Sequence, residues 1–268
     1  MLTDLDQDTK NELCHVAEAL ADAARDAVMP FFRAEGLTAD NKLSEGFDPV
    51  TEGDRAAEKA MRDVLAKLRP QDGILGEEFG AQAGDSGLTW VLDPIDGTRA
   101  FLSGTPTWGV LIAVGDANGP QLGIIDQPYI GERFLGGFGL AQVVGPHGKR
   151  VLKTRGPRDL SEAILFTTFP EVGTKAEGRA FQALSRQVKL TRYGLDCYAY
   201  GLVASGHIDL VVEAGLQAYD IQGPMAVIEA AGGIVTDWQG GPAHLGGRIV
   251  AAANAQVHAA ALAVLSDA

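Results

Sequence analysis

Across residues 11–32 the apolar positions Leu13, Val16, Ala17, Leu20, Ala24, Ala27, Val28 and Phe31 recur at three- and four-residue intervals. That spacing puts them on one face of a long amphipathic helix, with Pro30 near its end. A charged, glycine-containing stretch over 34–48 follows and reads as a mobile loop. A second helix is predicted from Thr51, with Asp54 placed to cap it and Ala57, Met61, Val64, Leu65 and Leu68 on its buried face; Pro70 closes it.

The middle of the chain changes period. Residues 90–92, 109–114, 121–125 and 133–135 are short apolar runs broken by glycine, proline and asparagine, the pattern of strands. Asp116-Ala117-Asn118-Gly119 is a turn that joins two of them as a hairpin. Beyond residue 150 strands (164–168, 208–213, 234–238, 249–252) alternate with helices (175–187, 196–205, one through 227–231 and a closing one), which predicts a partly parallel sheet covered by helices. The expectation is a layered α/β protein built as one compact unit from two halves, 1–150 and 151–268.

Composition narrows this picture. At 268 residues, 46% hydrophobic, the chain is long enough for that layered core. Its 34 glycines follow no repeating tripeptide and mark tight turns between short elements. Net charge is −13, so the basic stripe that nucleic acid needs is absent, and no nucleic-acid partner is expected. Cys14 and Cys197 form no paired motif and read as reduced thiols. No apolar signal core opens the chain and no run approaches the roughly 18–20 residues of a membrane span. A cytoplasmic protein with no membrane partner is expected.

The candidate chemistry is acidic. In Trp90-Val91-Leu92-Asp93-Pro94-Ile95-Asp96-Gly97-Thr98 a hydrophobic strand runs into two carboxylates, a glycine and a hydroxyl. Asp-Gly-Thr by itself is also a turn with a helix cap. Pro94, however, stiffens the backbone so that Asp93 and Asp96 can converge, and Gly97 and Thr98 would offer N–H groups to a phosphate. Gly76-Glu77-Glu78-Phe79-Gly80 follows an apolar pair and reads either as solvated surface or as a strand end entering a site. Asp220, in Ala218-Tyr219-Asp220-Ile221, is either an N-cap or a further ligand. Oxygen donors without histidine or cysteine select Mg²⁺ over Zn²⁺. None of the five histidines has a partner at ligand spacing.

In series, Gly-Glu-Glu, Asp-Pro-Ile-Asp-Gly-Thr, the aromatic-Asp pair and Glu229-Ala230-Ala231-Gly232-Gly233 resemble the inositol monophosphatase family over nearly the whole chain. The resemblance implies a five-layered αβαβα sandwich, commonly a homodimer. It implies that Glu77, Asp93, the Ile95 carbonyl, Asp96 and Asp220 bind metal, that Asp54 helps to hold a further Mg²⁺, and that Gly97 and Thr98 bind phosphate. Two or three Mg²⁺ ions would clamp a small phosphate monoester, while Thr98 and Glu77 orient the attacking water and accept its proton.

Within the family the wording is most similar to the branch that hydrolyses histidinol phosphate, through Phe47-Asp48-Pro49-Val50-Thr51-Glu52, Ile125-Asp126-Gln127-Pro128 and the stretches 190–198 and 206–213. Departures stand at Gly53, Leu195, Ala218 and Gln222-Gly223-Pro224, where Pro224 is tolerable in the first turn of a helix. For a substrate bearing an ammonium and an imidazole, Asp196 and Glu213 are the candidate partners; alternatively Asp196 caps a helix and Glu213 is a rim residue. Inositol phosphate, a broader range of sugar phosphates and a nucleotide 3′-phosphate remain alternatives on the same scaffold. A non-catalytic binding protein would require a damaged metal site, and every ligand position holds a competent residue.

Overall fold

A computed structural model describes residues 5–41 and 49–266, so residues 42–48 of the expected loop, the Phe47-Asp48 pair among them, lie outside the described residues. Helix α1 (Gln7–Val28) begins where the Asp6 carboxylate accepts the Thr9 N–H, and its C-cap Met29 directly precedes Pro30. It stops short of residue 32: Met29 still has helical backbone, but Pro30 has no N–H with which to continue the helical ladder. Strand β1 (Asp40–Asn41) pairs with β2 (Pro49–Val50). Helix α2 (Glu52–Leu68) opens on the predicted reciprocal cap between Thr51 and Asp54 and closes at Arg69, ahead of Pro70.

A large sheet follows: β3 (Gly73–Gly76), β4 (Gly80–Gln82), β5 (Thr89–Asp96), β6 (Gly109–Asp116), β7 (Gly119–Gln127), β8 (Glu132–Gly137), β9 (Leu140–Gly145) and β10 (Gly148–Val151). Its spatial order is β10-β9-β8-β7-β6-β5-β3-β4, with β3 parallel to β5. The turn at Asp116 and Gly119 joins β6 to β7 as expected. Short helix α3 (Thr98–Leu102) leaves the end of β5. A second sheet holds β11 (Ile164–Thr167), β12 (Leu190–Tyr193), β13 (Leu210–Leu216), β14 (Ile234–Asp237) and β15 (Gly247–Ala252) in the order β12-β11-β13-β15-β14. There β11 is parallel to both neighbours and the remaining pairs are antiparallel, which is the mixed character expected. Helices α4 (Lys175–Ser185), α5 (Tyr198–Ala204), α6 (Ala218–Ala230) and α7 (Ala255–Ser266) complete the described chain.

Side chains alternate across each strand, and the alternation builds three cores. Trp90, Leu92, Val110, Ile112, Val114, Leu122 and Ile124 meet α1 and α2 on one face of the large sheet. Leu111, Ile125 and Phe134 point the other way, to α5, α6 and the inner residues Phe166, Val211, Ile249 and Ala251 of the second sheet. Leu165, Leu210, Val212 and Val250 face α4 and α7. The layers are therefore helix, sheet, helix, sheet, helix, the sandwich that the resemblance implies.

Helix α6 lies directly on the large sheet because glycines leave room for it. A Cβ at Gly123 would overlap the carbonyl of Gly223, and one at Gly136 would overlap the backbone of Val227. One expectation is corrected here: Pro224 sits in the interior of α6, not in its first turn. The helix starts at Ala218, and the N–H missing at Pro224 leaves the helical bond to the Asp220 carbonyl unmade. Strand β3 is the strand end expected ahead of Glu77; β1, β2, β4, β9, β10 and β12 are not predicted by the sequence pattern. β4 and β10 are exposed throughout, and short edge strands of that kind carry no alternating pattern.

Candidate active site

Strand β5 is interrupted by a register shift between Asp93 and Asp96, and this irregularity turns both carboxylates toward one point. The turn is held locally: Ile95 N–H donates to Asp93 Oδ1 at 3.0 Å, and the Thr98 hydroxyl donates to the Ile95 carbonyl at 3.2 Å. From the other half of the chain, Cys197 N–H donates to Asp96 at 2.6 Å. Asp220 stands in the first turn of α6, where it accepts the Gln217 N–H at 2.6 Å and closes a capping box. Its two readings are compatible, for it caps the helix and also joins the cluster. Asp93, Asp96 and Asp220 each offer a carboxylate oxygen within 4.8 Å of the others. Glu77 lies within hydrogen-bonding reach of Asp93.

Such crowding is costly without a cation. Burial first, then the charges of Glu77, Asp96 and Asp220, pushes Asp93 well above the usual carboxylate range. Burial, followed by the charges of Asp196 and Asp220, does the same to Asp96. Behind them Asp54 is fully buried and is pushed up to about 7, chiefly by burial, against its hydrogen bonds from Thr51 and with the added charges of Glu78 and Glu77. Its Oδ2 accepts from the Thr51 N–H and hydroxyl, while its Oδ1 is buried with no hydrogen-bond partner. An all-oxygen donor set, like charges packed together and an orphaned carboxylate oxygen all fit one or more divalent hard cations.

These residues line a cleft of about 310 Å³ that also includes Gly97, Arg99, Thr168, Phe169, Asp196 and Glu213; Asp54 is not part of its wall. Gly97 adopts φ +86° at the start of α3, a conformation for which glycine is favoured. Asp196 also has a positive φ, +47°, so it stands before α5 rather than within the helix expected over 196–205. It provides no side-chain cap; its carboxylate instead accepts the Thr107 hydroxyl at 3.0 Å and faces the cleft. Glu213 is neither a rim residue nor a strand end. It is buried within β13, which runs on to Leu216, and it accepts from Thr167 at 3.2 Å and from the Thr168 N–H and hydroxyl at 2.8 and 2.9 Å. Burial pushes it up to about 7 despite those bonds.

Four residues of this site went unread in the sequence: Thr107 and Thr168, which orient the two carboxylates, and Arg99 and Phe169. The Arg99 guanidinium lies 4.7 Å from the centre of the Phe169 ring. No local pattern marks them, because each acts on a partner distant in the chain. No histidine lines the cleft, and no helix among the described residues is long and apolar enough to cross a membrane.

Comparison with known proteins agrees with this architecture. A bifunctional phosphatase from Arabidopsis thaliana, IMPL2, is 40% identical over 227 residues, 84% of this chain; the chain spans 64% of that protein's length. A histidinol-phosphatase from Streptomyces coelicolor is 34% identical over 94% of this chain and 96% of its own. Among solved structures, an inositol monophosphatase from Zymomonas mobilis superposes with a TM-score of 0.84 at 40% identity, covering 98% of this chain and all of its own. The model of the inositol monophosphatase family, whose members act on small phosphate substrates and generally depend on Mg²⁺, matches residues 9–268. With that match spanning the three carboxylates, the cleft and all five layers, the chain belongs to the inositol monophosphatase family of phosphomonoesterases.

Proposed function

We propose that this protein hydrolyses L-histidinol phosphate to L-histidinol and inorganic phosphate in a Mg²⁺-dependent reaction. The observation that carries the substrate is the second acidic pair. Asp93, Asp96, Asp220 and Glu77 are sufficient for cations, yet Asp196 and Glu213 add two more carboxylates to the same cleft. A neutral polyol phosphate needs no such surplus, whereas an ammonium or a protonated imidazole is matched by charge-assisted hydrogen bonds. The likeness to a histidinol-phosphatase along nearly its full length supports the same reading.

In this reading Asp93, Asp96, Asp220, Glu77 and the Ile95 carbonyl would hold Mg²⁺, and Asp54 with Glu77 would serve a further ion. Mg²⁺ held there would supply charge neutralisation to the phosphoryl group and would lower the pKa of a bound water. The Thr98 hydroxyl, held against the Ile95 carbonyl, orients that water, and Glu77 accepts its proton. The Gly97 and Thr98 amides receive a phosphate oxygen. The new P–O bond forms in line with the ester P–O bond that breaks; the departing alkoxide takes a proton from solvent to give the alcohol, and Glu77 returns the proton it accepted to solvent.

Inositol 1-phosphate is the second reading. Asp196 and Glu213 already accept threonine hydroxyls, and the same oxygens would suit a polyol; the likeness to the Zymomonas mobilis inositol monophosphatase favours it. A phosphate-release panel of histidinol phosphate, inositol 1-phosphate, fructose 1,6-bisphosphate and adenosine 3′,5′-bisphosphate separates the two. Histidinol phosphate is expected to give the highest kcat/KM; faster turnover of inositol 1-phosphate transfers the assignment to the second reading.

A further inference from the structure

Helix α2 carries Asp54, Glu58 and Arg62 at successive four-residue steps, which places them in one row along the helix. The row faces the three-residue turn Glu77-Glu78-Phe79 between β3 and β4, whose arms are in register at Gly76 and Gly80. Glu58 is a fully buried carboxylate. One of its oxygens accepts the Glu78 N–H at 2.6 Å, and the other accepts the Phe79 N–H at 3.2 Å. Its charge is balanced by Arg62, whose Nε donates to it at 2.8 Å and whose other nitrogen donates to the Gly80 carbonyl. Gly76 is needed for this approach, because a Cβ there would overlap the Glu58 carboxylate.

We propose that Glu58, braced by Arg62, is a positioning residue for the cation site. By gripping the amides of Glu78 and Phe79 it sets the direction in which Glu77 leaves the turn, toward Asp93. The same helix carries Asp54 one turn earlier, so α2 fixes the separation between Asp54 and Glu77. The inference rests on the reading of Glu77 and its neighbours as cation ligands. A carboxylate suits this task, since it accepts two N–H bonds while paired to a guanidinium; an amide of equal size presents a donor to one of those N–H groups.

Mn²⁺ binding to the substrate-free protein, followed by electron paramagnetic resonance, tests this without turnover. Glu58→Gln is expected to weaken Mn²⁺ binding about tenfold or more and to raise the Mg²⁺ concentration for half-maximal phosphate release by a similar factor. Its KM for substrate at saturating Mg²⁺ should stay near the wild-type value. Arg62→Gln should give a smaller loss in the same direction, and Lys59→Gln, on an exposed flank of the helix, none. A structural role alone would lower Tm yet leave the folded Glu58→Gln protein with wild-type Mn²⁺ affinity, and that result overturns the positioning role. Failure of the wild type to bind Mn²⁺ would instead overturn the cation site, and this inference with it.

Discussion

The Asp196 carboxylate is packed against Gly97, so closely that a methyl group on the glycine would lie 2.7 Å from Asp196 Cγ. Both residues have left-handed backbone, and they come from opposite halves of the chain. The contact joins the proposed phosphate loop to the proposed substrate wall. Gly97→Ala should therefore cost about 1–2 kcal/mol in backbone strain and displace Asp196 as well. We expect a folded protein with kcat/KM lowered about tenfold or more. Adding Asp196→Ala should recover part of the lost Tm; strict additivity of the two Tm changes would deny the contact any energetic weight.

Asp93→Asn removes one charge from a buried group of like charges. Activity should be nearly abolished, because an amide cannot replace an anionic ligand. In chelator, however, the variant should melt at a higher temperature than the wild type, since the repulsion that crowds Asp93 is relieved. Thermal melts in EDTA check this, and a lower Tm would show that repulsion is not the dominant cost.

Chelation should abolish phosphate release, and Mg²⁺ should restore it. Micromolar Ca²⁺ should activate poorly, because its coordination is larger and looser. Saturating Mg²⁺ at about a hundred times its Kd should stabilise the folded wild type by about 2.7 kcal/mol, and Asp93→Asn far less. Full turnover in EDTA would refute metal dependence.

Asp196→Asn and Glu213→Gln should each discriminate between substrates. Loss of a charged partner costs about 1.5–3 kcal/mol, roughly a ten- to hundredfold drop in kcat/KM for histidinol phosphate. Inositol 1-phosphate hydrolysis should fall much less. Equal losses on both would remove the charge argument.

Glu213 also makes stability depend on pH. Burial raises it from 4.5 to about 7 in the folded protein, so the folded state holds its proton more tightly than the unfolded chain does. Its stabilising contribution is complete below about 4.5 and is lost as pH rises through about 7. In EDTA the wild type should therefore lose Tm between pH 5 and pH 8 more steeply than Glu213→Gln. Parallel melting curves across that interval would contradict the raised value.

Sequence alone determined what depends on neighbours within a turn or two. The helical periods of α1 and α2, the cap between Thr51 and Asp54 and the alternating apolar strands each follow from contacts a few residues apart. The acidic motifs also named Asp93, Asp96 and Asp220, which the structure gathers within 4.8 Å. What tertiary structure decided is which distant groups those carboxylates meet. Nothing in the sequence pattern singles out Glu58; only the approach of α2 to the β3–β4 turn gives it two backbone N–H groups to hold. Thr107 and Thr168 gain roles because the second sheet brings Asp196 and Glu213 beside them. Pro224 fell inside α6 because the Gln217–Asp220 cap starts that helix early and the glycines beneath it hold it on the sheet. Periodicity and capping act over a few ångströms of contiguous backbone, whereas the cleft is assembled from segments about a hundred residues apart, whose meeting is set by the packing of the cores between the layers.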